Sequence, residues 1–171
     1  MIRLLQGDIT TLDVDCIVNA ANENLMPGGG VCGAIHQAAG QELALECKRI
    51  GHCGVGEARI TKGYHLKAKH VIHTVGPVWH GGEHGEDQYL FNCYKKSLLL
   101  ATHHNIETIA FPNISTGIFS YPKDLAAETA IAAVTQHQNS GRSLKKVIFC
   151  CFDNDNYKKY NQLLKHLEKE T

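Results

Sequence analysis

The 171-residue chain has 43% apolar and 20% charged residues, which is typical of one globular domain and unlike the polar, charge-rich composition of disordered chains. Its 17 Lys and Arg balance its 17 Asp and Glu, so it lacks the basic excess with which proteins coat duplex nucleic acid. Because no apolar run approaches the roughly 18 residues of a membrane span, we expect neither duplex nucleic acid nor a membrane among its partners.

The cysteine usage indicates a reducing compartment. The chain has an odd number of cysteines, several of them inside apolar, strand-like runs: Cys16, Cys32, Cys47, Cys53, Cys93, Cys150 and Cys151. A chain of this size builds a core without disulfides, so we expect mostly reduced, buried thiols and a cytoplasmic protein. No C-x-x-C pair is present, which argues against zinc, and we expect no metal. Met1 leads into a strand pattern without the charged and apolar regions of a signal peptide.

The first half of the chain alternates short apolar runs with helical patterns. Strands are predicted over 2–5 and 14–18, with a turn or one helical coil over 10–13 between them. Helices are predicted over 31–39 and 42–50, separated near Gly40, and a loop follows over 51–56. Two further strands are predicted over 58–61 and 71–75.

The second half continues the alternation. Residues 76–88 contain proline, glycines and charges and are predicted to be a loop, followed by a helix over 89–104. A strand over 108–111, a proline-bounded loop over 112–122, a helix over 124–138, a strand over 147–152 and a helix over 157–169 complete the pattern. Strands that alternate with helices, several of them apolar throughout, indicate an α/β sheet covered by helices on both faces.

Two loops in this pattern directly follow a strand and directly precede a helix, which is where open α/β sheets bind ligands. Residues 28–30 are three glycines ahead of the first helix, and Ser115, Thr116 and Gly117 lie ahead of the helix at 124. Helix N-termini expose unpaired N–H groups, and glycine lets an anion approach them. Either loop alone could be only a turn, but two in equivalent positions favour a ligand that carries phosphate. Neither loop matches the dinucleotide G-x-G-x-x-G pattern or a Gly-Lys-Ser/Thr phosphate loop.

Five sequence blocks carry a family resemblance. They are GDIT at 7–10, VDCIVNAAN at 14–22, GGGVCGAIHQAAG at 28–40, HTVGPVW at 73–79 and FPNISTGIFSYP at 111–122. Together they resemble the macrodomain family, in particular its MacroD-type branch of ADP-ribosyl and O-acetyl-ADP-ribose hydrolases, and the likeness runs from about residue 2 to 168. The resemblance implies a single macrodomain over 1–171. Its fold would be a three-layer α/β/α sandwich with a mixed, mostly parallel six-stranded sheet and ADP-ribose in a cleft at the strand ends.

The resemblance assigns three residues to the adenine end of the ligand. Asp8 would accept a hydrogen bond from the adenine amino group beside the backbone of Ile9, and Phe152 would lie against the adenine face. The residues themselves leave alternatives open. Asp8 could simply cap the turn at Thr10, and Phe152 could be an ordinary core residue, as aromatics at strand ends usually are.

The resemblance also assigns residues to the diphosphate and to the distal ribose of the ligand. The main-chain N–H groups that cradle the pyrophosphate would belong to Ser115, Thr116, Gly117, Ile118 and Phe119, and the opposite side would be lined by Gly29, Gly30 and Val31. Asn22 would bind a hydroxyl of the distal ribose, and Phe119 would wall that ribose and help to aim the scissile bond. From the residues alone, Asn22 could instead be a turn residue that bonds its own backbone.

Cys32 departs from the family pattern. The MacroD-type branch usually has an aspartate there, often assigned to hold or activate the attacking water. In its absence we expect a water held by the ligand's own phosphate, with Asn22 and the glycine loop fixing its geometry. A covalent role for the Cys32 thiol requires a partnered base. We expect instead that Cys32 is an inert wall of the pocket and that His36, one helical turn on, packs beneath the loop.

The sequence therefore predicts a monomer that binds ADP-ribose and hydrolyses an ester at its distal ribose, without a cofactor. The acyl group would be acetate, as in O-acetyl-ADP-ribose, or an Asp or Glu side chain of a mono-ADP-ribosylated protein. The main alternative is a module that binds ADP-ribose without cutting it, and Cys32 is the residue that favours it. A binder of RNA or poly-ADP-ribose is disfavoured by the neutral charge balance.

Overall fold

The computed structural model describes residues 1–170, and a six-stranded sheet forms its centre. The strands are β1 (Ile2–Gln6), β2 (Cys16–Ala20), β3 (Ala58–Lys62), β4 (His70–Thr74), β5 (Thr108–Phe111) and β6 (Lys146–Cys151). The helices are α1 (Gly30–Ala39), α2 (Gln41–Ile50), α3 (Glu86–His103), α4 (Lys123–Gln138) and α5 (Asn154–Glu170), with one turn of 3-10 helix at Ile9–Thr11.

The sheet is mixed and mostly parallel, as predicted. Its strand order is β1-β6-β5-β2-β4-β3. Only the edge strand β3 runs antiparallel, against β4, while the other neighbouring pairs are parallel. The carboxyl ends of five strands therefore meet at one edge of the sheet, where the loops that follow them lie side by side.

Helices cover both faces of the sheet and divide the core into two clusters. One cluster packs the sheet against α3, α4 and α5, and the other packs it against α1 and α2. Cys151 belongs to the first cluster and Cys150 to the second, because successive residues of a strand point to opposite faces. The expected three-layer α/β/α sandwich is confirmed, and all seven cysteines are buried and free of disulfides.

The predicted start of an element is wrong by two or three residues at three places where a carboxylate binds main-chain N–H groups. Strand β2 begins at Cys16, two residues later than predicted, because the Asp15 carboxylate accepts the N–H of Glu107 (2.9 Å) and Thr108 (3.1 Å) in a loop. Helix α5 begins at Asn154 rather than at 157, because Asp153 accepts the N–H of Asn156 (2.7 Å) at the start of the first turn.

Helix α3 also begins earlier than predicted, at Glu86 instead of 89. The Glu86 carboxylate accepts three main-chain N–H groups of the preceding loop, from His80 (2.9 Å), Gly82 (2.9 Å) and His84 (2.6 Å). A buried carboxylate with these donors starts the helix, which hydrophobic spacing alone does not indicate. No helix within residues 1–170 is long and apolar enough to cross a bilayer.

Candidate functional site

A cavity of about 930 Å³ opens at the edge of the sheet where the parallel strands end. Segments that follow β1, β2, β4, β5 and β6 all contribute to its wall. Every residue that the sequence assigned to ligand binding lines this cavity: Asp8, Ile9, Asn22, Gly29, Gly30, Val31, Cys32, Ser115, Thr116, Gly117, Ile118, Phe119 and Phe152. The fold thus brings together residues that are more than a hundred positions apart in the chain.

The first wall of the cavity is the glycine turn, residues 28–30, which runs into α1. Gly29 occupies the N-cap position and no side chain caps the helix. Among residues 1–170, the N–H groups of Gly30, Val31 and Cys32 have no acceptor, as expected for the first turn of a helix. A Cβ atom on Gly33 would collide with the carbonyl oxygen of Gly28, so only glycine lets the helix pack this closely under its own turn.

The second wall is the closed loop, residues 115–121. The Tyr121 N–H donates to the Ser115 carbonyl (2.9 Å) and the Ser120 N–H to the Gly117 carbonyl (3.0 Å), so the loop closes on itself. Ser115 and Ser120 have φ of 68° and 61°, a region that non-glycine residues seldom occupy. Within the described chain, the N–H groups of residues 115–119 have no acceptor. They therefore present a row of donors to the cavity.

The bounds of this loop agree with the prediction to within one residue. The sequence placed a loop over 112–122 and a helix from 124, and α4 begins at Lys123 with Pro122 at its N-cap. The donors of the closed loop nevertheless come from a backbone reversal and not from the helix terminus that the sequence argument invoked. Both kinds of donor suit a small anion such as a diphosphate, because they bind it without burying a cation.

Two contacts brace the closed loop from behind. The Trp79 N–H donates to the Phe119 carbonyl (2.9 Å), and the indole packs on Tyr121 with ring centroids 4.7 Å apart. A Cβ atom on Gly76 would collide with the Ser115 side chain, so the segment after β4 approaches the loop at its closest possible distance. The loop is held in place although its conformation is strained.

The loop after Trp79 is in turn held by Glu86. Burial of the Glu86 carboxyl opposes its ionisation, but the N–H donors from His80, Gly82 and His84 outweigh this and lower its pKa to about 2. The carboxylate is therefore ionised throughout the physiological range. It holds the main chain of residues 80–84 in place.

Asp8 and Phe152 follow the adjacent strands β1 and β6, and both line the cavity. The alternative role is observed for Asp8 and overturned for Phe152. Asp8 Oδ1 accepts the N–H (2.9 Å) and the hydroxyl (2.7 Å) of Thr10, so it does cap the 3-10 turn. The other carboxylate oxygen has no partner among residues 1–170. Phe152 is 81% exposed, so the alternative that it is a core residue is wrong.

Asn22 and Cys32 meet at one carbonyl group. The Asn22 side chain donates to the Met26 carbonyl (2.8 Å) and accepts the Met26 N–H (3.0 Å), so the turn alternative is also observed. The Cys32 thiol donates to the same carbonyl (3.6 Å) and is only 5% exposed. Asn22 keeps one N–H and one lone pair for a ligand.

His36 does not serve as a base for Cys32. It is buried, and neither of its ring nitrogens has a hydrogen-bond partner within the described residues. Burial lowers the pKa of His36, so the ring stays neutral. The Cys32 thiol thus lacks the partnered base of a cysteine nucleophile.

Comparison with known proteins agrees with this architecture. The macro domain family model matches residues 18–130, more than half of the chain. The chain belongs to the macro domain family. It is 54% identical over 164 residues to a macro domain-containing protein of Chlorobaculum tepidum, with 96% of this chain and 95% of the relative covered.

Two other similar proteins are described by their ligand or activity. An O-acetyl-ADP-ribose deacetylase of Klebsiella pneumoniae is 52% identical over 166 residues, covering 95% of each chain. A Trypanosoma brucei macrodomain in complex with ADP-ribose superposes with a TM-score of 0.89 at 40% identity, covering 95% of this chain and 68% of the other.

This macrodomain has further cavity residues that the sequence argument did not assign, among them Gly7, Gly76, Asn113, Lys123, Cys150, Asp153 and Asn156. Lys123 Nζ lies 3.0 Å from an Asp155 carboxylate oxygen and 4.0 Å from one of Asp153. The signal that could have found Asp153 is its place directly after a predicted strand. Within residues 1–170, no three His, Cys, Asp or Glu side chains are grouped closely enough to hold a metal ion.

Proposed function

We propose that this macrodomain binds ADP-ribose and hydrolyses an ester at its distal ribose. The observation that carries the proposal is the pair of main-chain donor sets, from the glycine turn and the closed loop, that line one cavity without protein acceptors in the described chain. A diphosphate is the part of ADP-ribose that these donors suit. The deacetylase name of the Klebsiella pneumoniae relative and the ADP-ribose complex of the Trypanosoma brucei macrodomain support the same ligand.

The two ends of the cavity suit the two ends of such a ligand. The unpaired oxygen of Asp8 is an acceptor for the amino group of adenine, and the exposed Phe152 ring offers a flat apolar face to the base. At the opposite end, Asn22 offers an amide N–H and oxygen to a ribose hydroxyl, and Phe119 of the closed loop lines the same cavity. The acyl group would be acetate or an Asp or Glu side chain of a mono-ADP-ribosylated protein.

In the proposed reaction a water molecule adds to the acyl carbonyl carbon and the bond from that carbon to the ribose oxygen breaks. One water proton passes through a phosphate oxygen of the substrate to the departing ribose oxygen, and the acyl group leaves as a carboxylic acid that then ionises. Cys32 does not take the proton, since its own proton is donated to the Met26 carbonyl. Orientation by Asn22 and the main-chain donors supplies most of the acceleration.

This proposal predicts what a base at position 32 would add. General-base catalysis contributes typically 10²–10⁴-fold, so we expect Cys32→Asp to raise kcat by roughly 10²-fold or more with KM little changed. Cys32→Asn is the matched control, because it has nearly the same shape without a base, and it should give no gain. The rates would be measured by the release of acetate from O-acetyl-ADP-ribose. An unchanged kcat in Cys32→Asp would contradict the view that a protein base is missing.

A second candidate function is a module that binds ADP-ribose without cutting it, and the thiol at position 32 is the observation that favours it. A single-turnover assay with a mono-ADP-ribosylated protein separates the two functions. The binding module would leave the label intact while ADP-ribose still raised the thermal midpoint. The hydrolase would release the ADP-ribose label.

Four further expectations from the sequence stay predictions: a monomeric state, a cytoplasmic location, the absence of a cofactor and a single domain over 1–171.

A further inference from the structure

A chain of buried polar side chains lies directly behind the wall that carries Cys32. It consists of Thr61 on β3, His73 on β4 and Asn19 on β2, on the face of the sheet that α1 and α2 cover. Asn19 and His73 are 0% exposed and Thr61 is 2% exposed. Asn19 and His73 are register partners on the paired strands β2 and β4. None of the three lines the cavity.

The hydrogen bonds of this chain have one direction. Asn19 Nδ2 lies 3.0 Å from His73 Nδ1, and an amide N–H can only donate, so Nδ1 is the acceptor. Nε2 of His73 therefore carries the proton and donates it to the Thr61 hydroxyl oxygen (3.0 Å). The Thr61 hydroxyl in turn donates to the Lys62 carbonyl (3.1 Å), which leaves its oxygen as the acceptor for Nε2–H.

The chain continues from Asn19 to the ligand-binding wall. The second N–H of Asn19 Nδ2 points to Cys32 Sγ (3.7 Å), which makes the sulfur an acceptor there. The Cys32 proton is then donated to the Met26 carbonyl (3.6 Å), which also accepts from Asn22 Nδ2 (2.8 Å). A directional path of hydrogen bonds joins the interior of β3 to the carbonyl that holds Asn22.

We propose that Asn19 and His73 are positioning residues that orient the Cys32 thiol and, through the Met26 carbonyl, the side chain of Asn22. This inference rests on the proposed hydrolase function for its kinetic consequence, but not for its structural one. Asn19 Oδ1 has no partner within the described residues, so Asn19 is not held by its oxygen, and its orientation depends on the two acceptors of its amide N–H groups. Reversing the tautomer of His73 would turn the amide around and direct the thiol away from Met26.

A substitution of Thr61 would change the tautomer of His73 without altering any residue that lines the cavity. Thr61→Val removes the acceptor for Nε2–H, which leaves only the distant Cys47 sulfur at 3.8 Å. His73 can then carry its proton on Nδ1 and donate to Asn19 Oδ1 once the amide has turned. Cys32 would in consequence donate to Asn19 and release the Met26 carbonyl.

The chain offers a matched control for this substitution. The Thr102 hydroxyl donates to the Leu98 carbonyl (2.9 Å) and contacts Nε2 of His137 (3.2 Å), the same arrangement between α3 and α4. Thr102→Val therefore removes the same kind of bond far from the cavity. Thr61→Ser restores the hydroxyl and should behave as the unchanged protein.

The test measures kcat and KM for O-acetyl-ADP-ribose, the dissociation constant of ADP-ribose, and the thermal midpoint of each variant. We expect Thr61→Val to lower kcat by about 10-fold, and by no more than the roughly 10²-fold that a 1 Å misplacement costs, with KM unchanged. Thr102→Val should lower the thermal midpoint only. A kcat in folded Thr61→Val equal to that of Thr102→Val, or an equal loss in kcat and binding, would overturn the proposal.

A spectroscopic readout keeps the test independent of catalysis. Imidazole ¹H–¹⁵N correlation spectra should show the His73 proton on Nε2 in the unchanged protein and on Nδ1 in Thr61→Val. The side-chain amide resonances of Asn22 should shift with it. If the unchanged protein hydrolysed no ester, the proposed function would fail, and these spectra would still decide the positioning role. A His73 proton found on Nδ1 in the unchanged protein, or Asn22 resonances that do not move in Thr61→Val, would refute it.

Discussion

The glycine turn and the closed loop both contribute main-chain N–H groups to the cavity wall, but by different means. The glycine turn presents the N–H groups of a helix start and needs glycine at 33 so that α1 can pack beneath it. The closed loop presents N–H groups by a strained reversal, with Ser115 at φ 68°, and is braced by Trp79. Behind the turn lies the polar chain through Asn19, whereas the loop is supported by close packing. The two walls therefore differ in what supports them, a hydrogen-bonded polar chain behind one and close packing behind the other.

The largest expected effect comes from adding a methyl group at Gly33 or Gly76, where the main chain packs tightly against its neighbours. Gly33→Ala and Gly76→Ala should each lower the free energy of unfolding by about 1–3 kcal/mol, the usual result of overpacking. Gly76→Ala displaces the closed loop and should weaken ADP and ADP-ribose alike. Gly33→Ala displaces the glycine turn and should weaken ADP-ribose more than ADP. Urea denaturation and calorimetry with both ligands measure this, and equal losses for both ligands in both variants would break the distinction between the walls.

The next prediction concerns Phe152, which belongs to neither wall and serves as a reference for the two glycine variants. Phe152→Ala should lower the affinity for ADP and ADP-ribose equally, by about 1–3 kcal/mol, the range measured when an aromatic side chain that stacks on a base is removed. Because Phe152 is 81% exposed, the free energy of unfolding should change by less than about 0.5 kcal/mol. Isothermal calorimetry beside urea denaturation checks both statements. A loss of stability larger than the loss of affinity would show that Phe152 is structural.

The smallest effect is a pH dependence of the free energy of unfolding, which comes from Glu86 in the support of the closed loop. The folded pKa of Glu86, about 2, lies below its ordinary value of 4.5, so ionised Glu86 stabilises the folded state above pH 4.5. That contribution should be lost as the pH falls from 4.5 towards 2, where the carboxyl protonates in the folded state as well. Glu86→Gln should remove this part of the pH dependence of unfolding. Glu83→Gln, in the exposed part of the same loop, should leave it unchanged.

The strand ends and the residues on them could be predicted from the sequence, because apolar runs and glycines are local signals. Asp8, Asn22 and Phe152, which the family resemblance assigned to the ligand, all line the one cavity. The backbone reversal at Ser115 could not be predicted, since it depends on a positive φ that serine seldom adopts. The early start of α3 depends on three N–H groups that meet Glu86 only after folding.

The polar chain behind Cys32 is the clearest case of information that sequence spacing does not contain. Asn19, Thr61 and His73 lie far apart along the chain and belong to three different strands. They meet because β2, β4 and β3 are adjacent in the sheet, in a register that pairs Asn19 with His73. A pattern of apolar runs fixes which residues are buried but not which polar groups share a hydrogen bond.

The burial of all seven cysteines makes the molecule convenient to label. Ile118 is 96% exposed at the rim of the cavity, beside Phe119, while every native thiol is shielded from solvent. In Ile118→Cys a maleimide dye would react at a single accessible position next to the closed loop. Its fluorescence would then report occupancy of the cavity in real time, turning the protein into a sensor for nucleotide sugars.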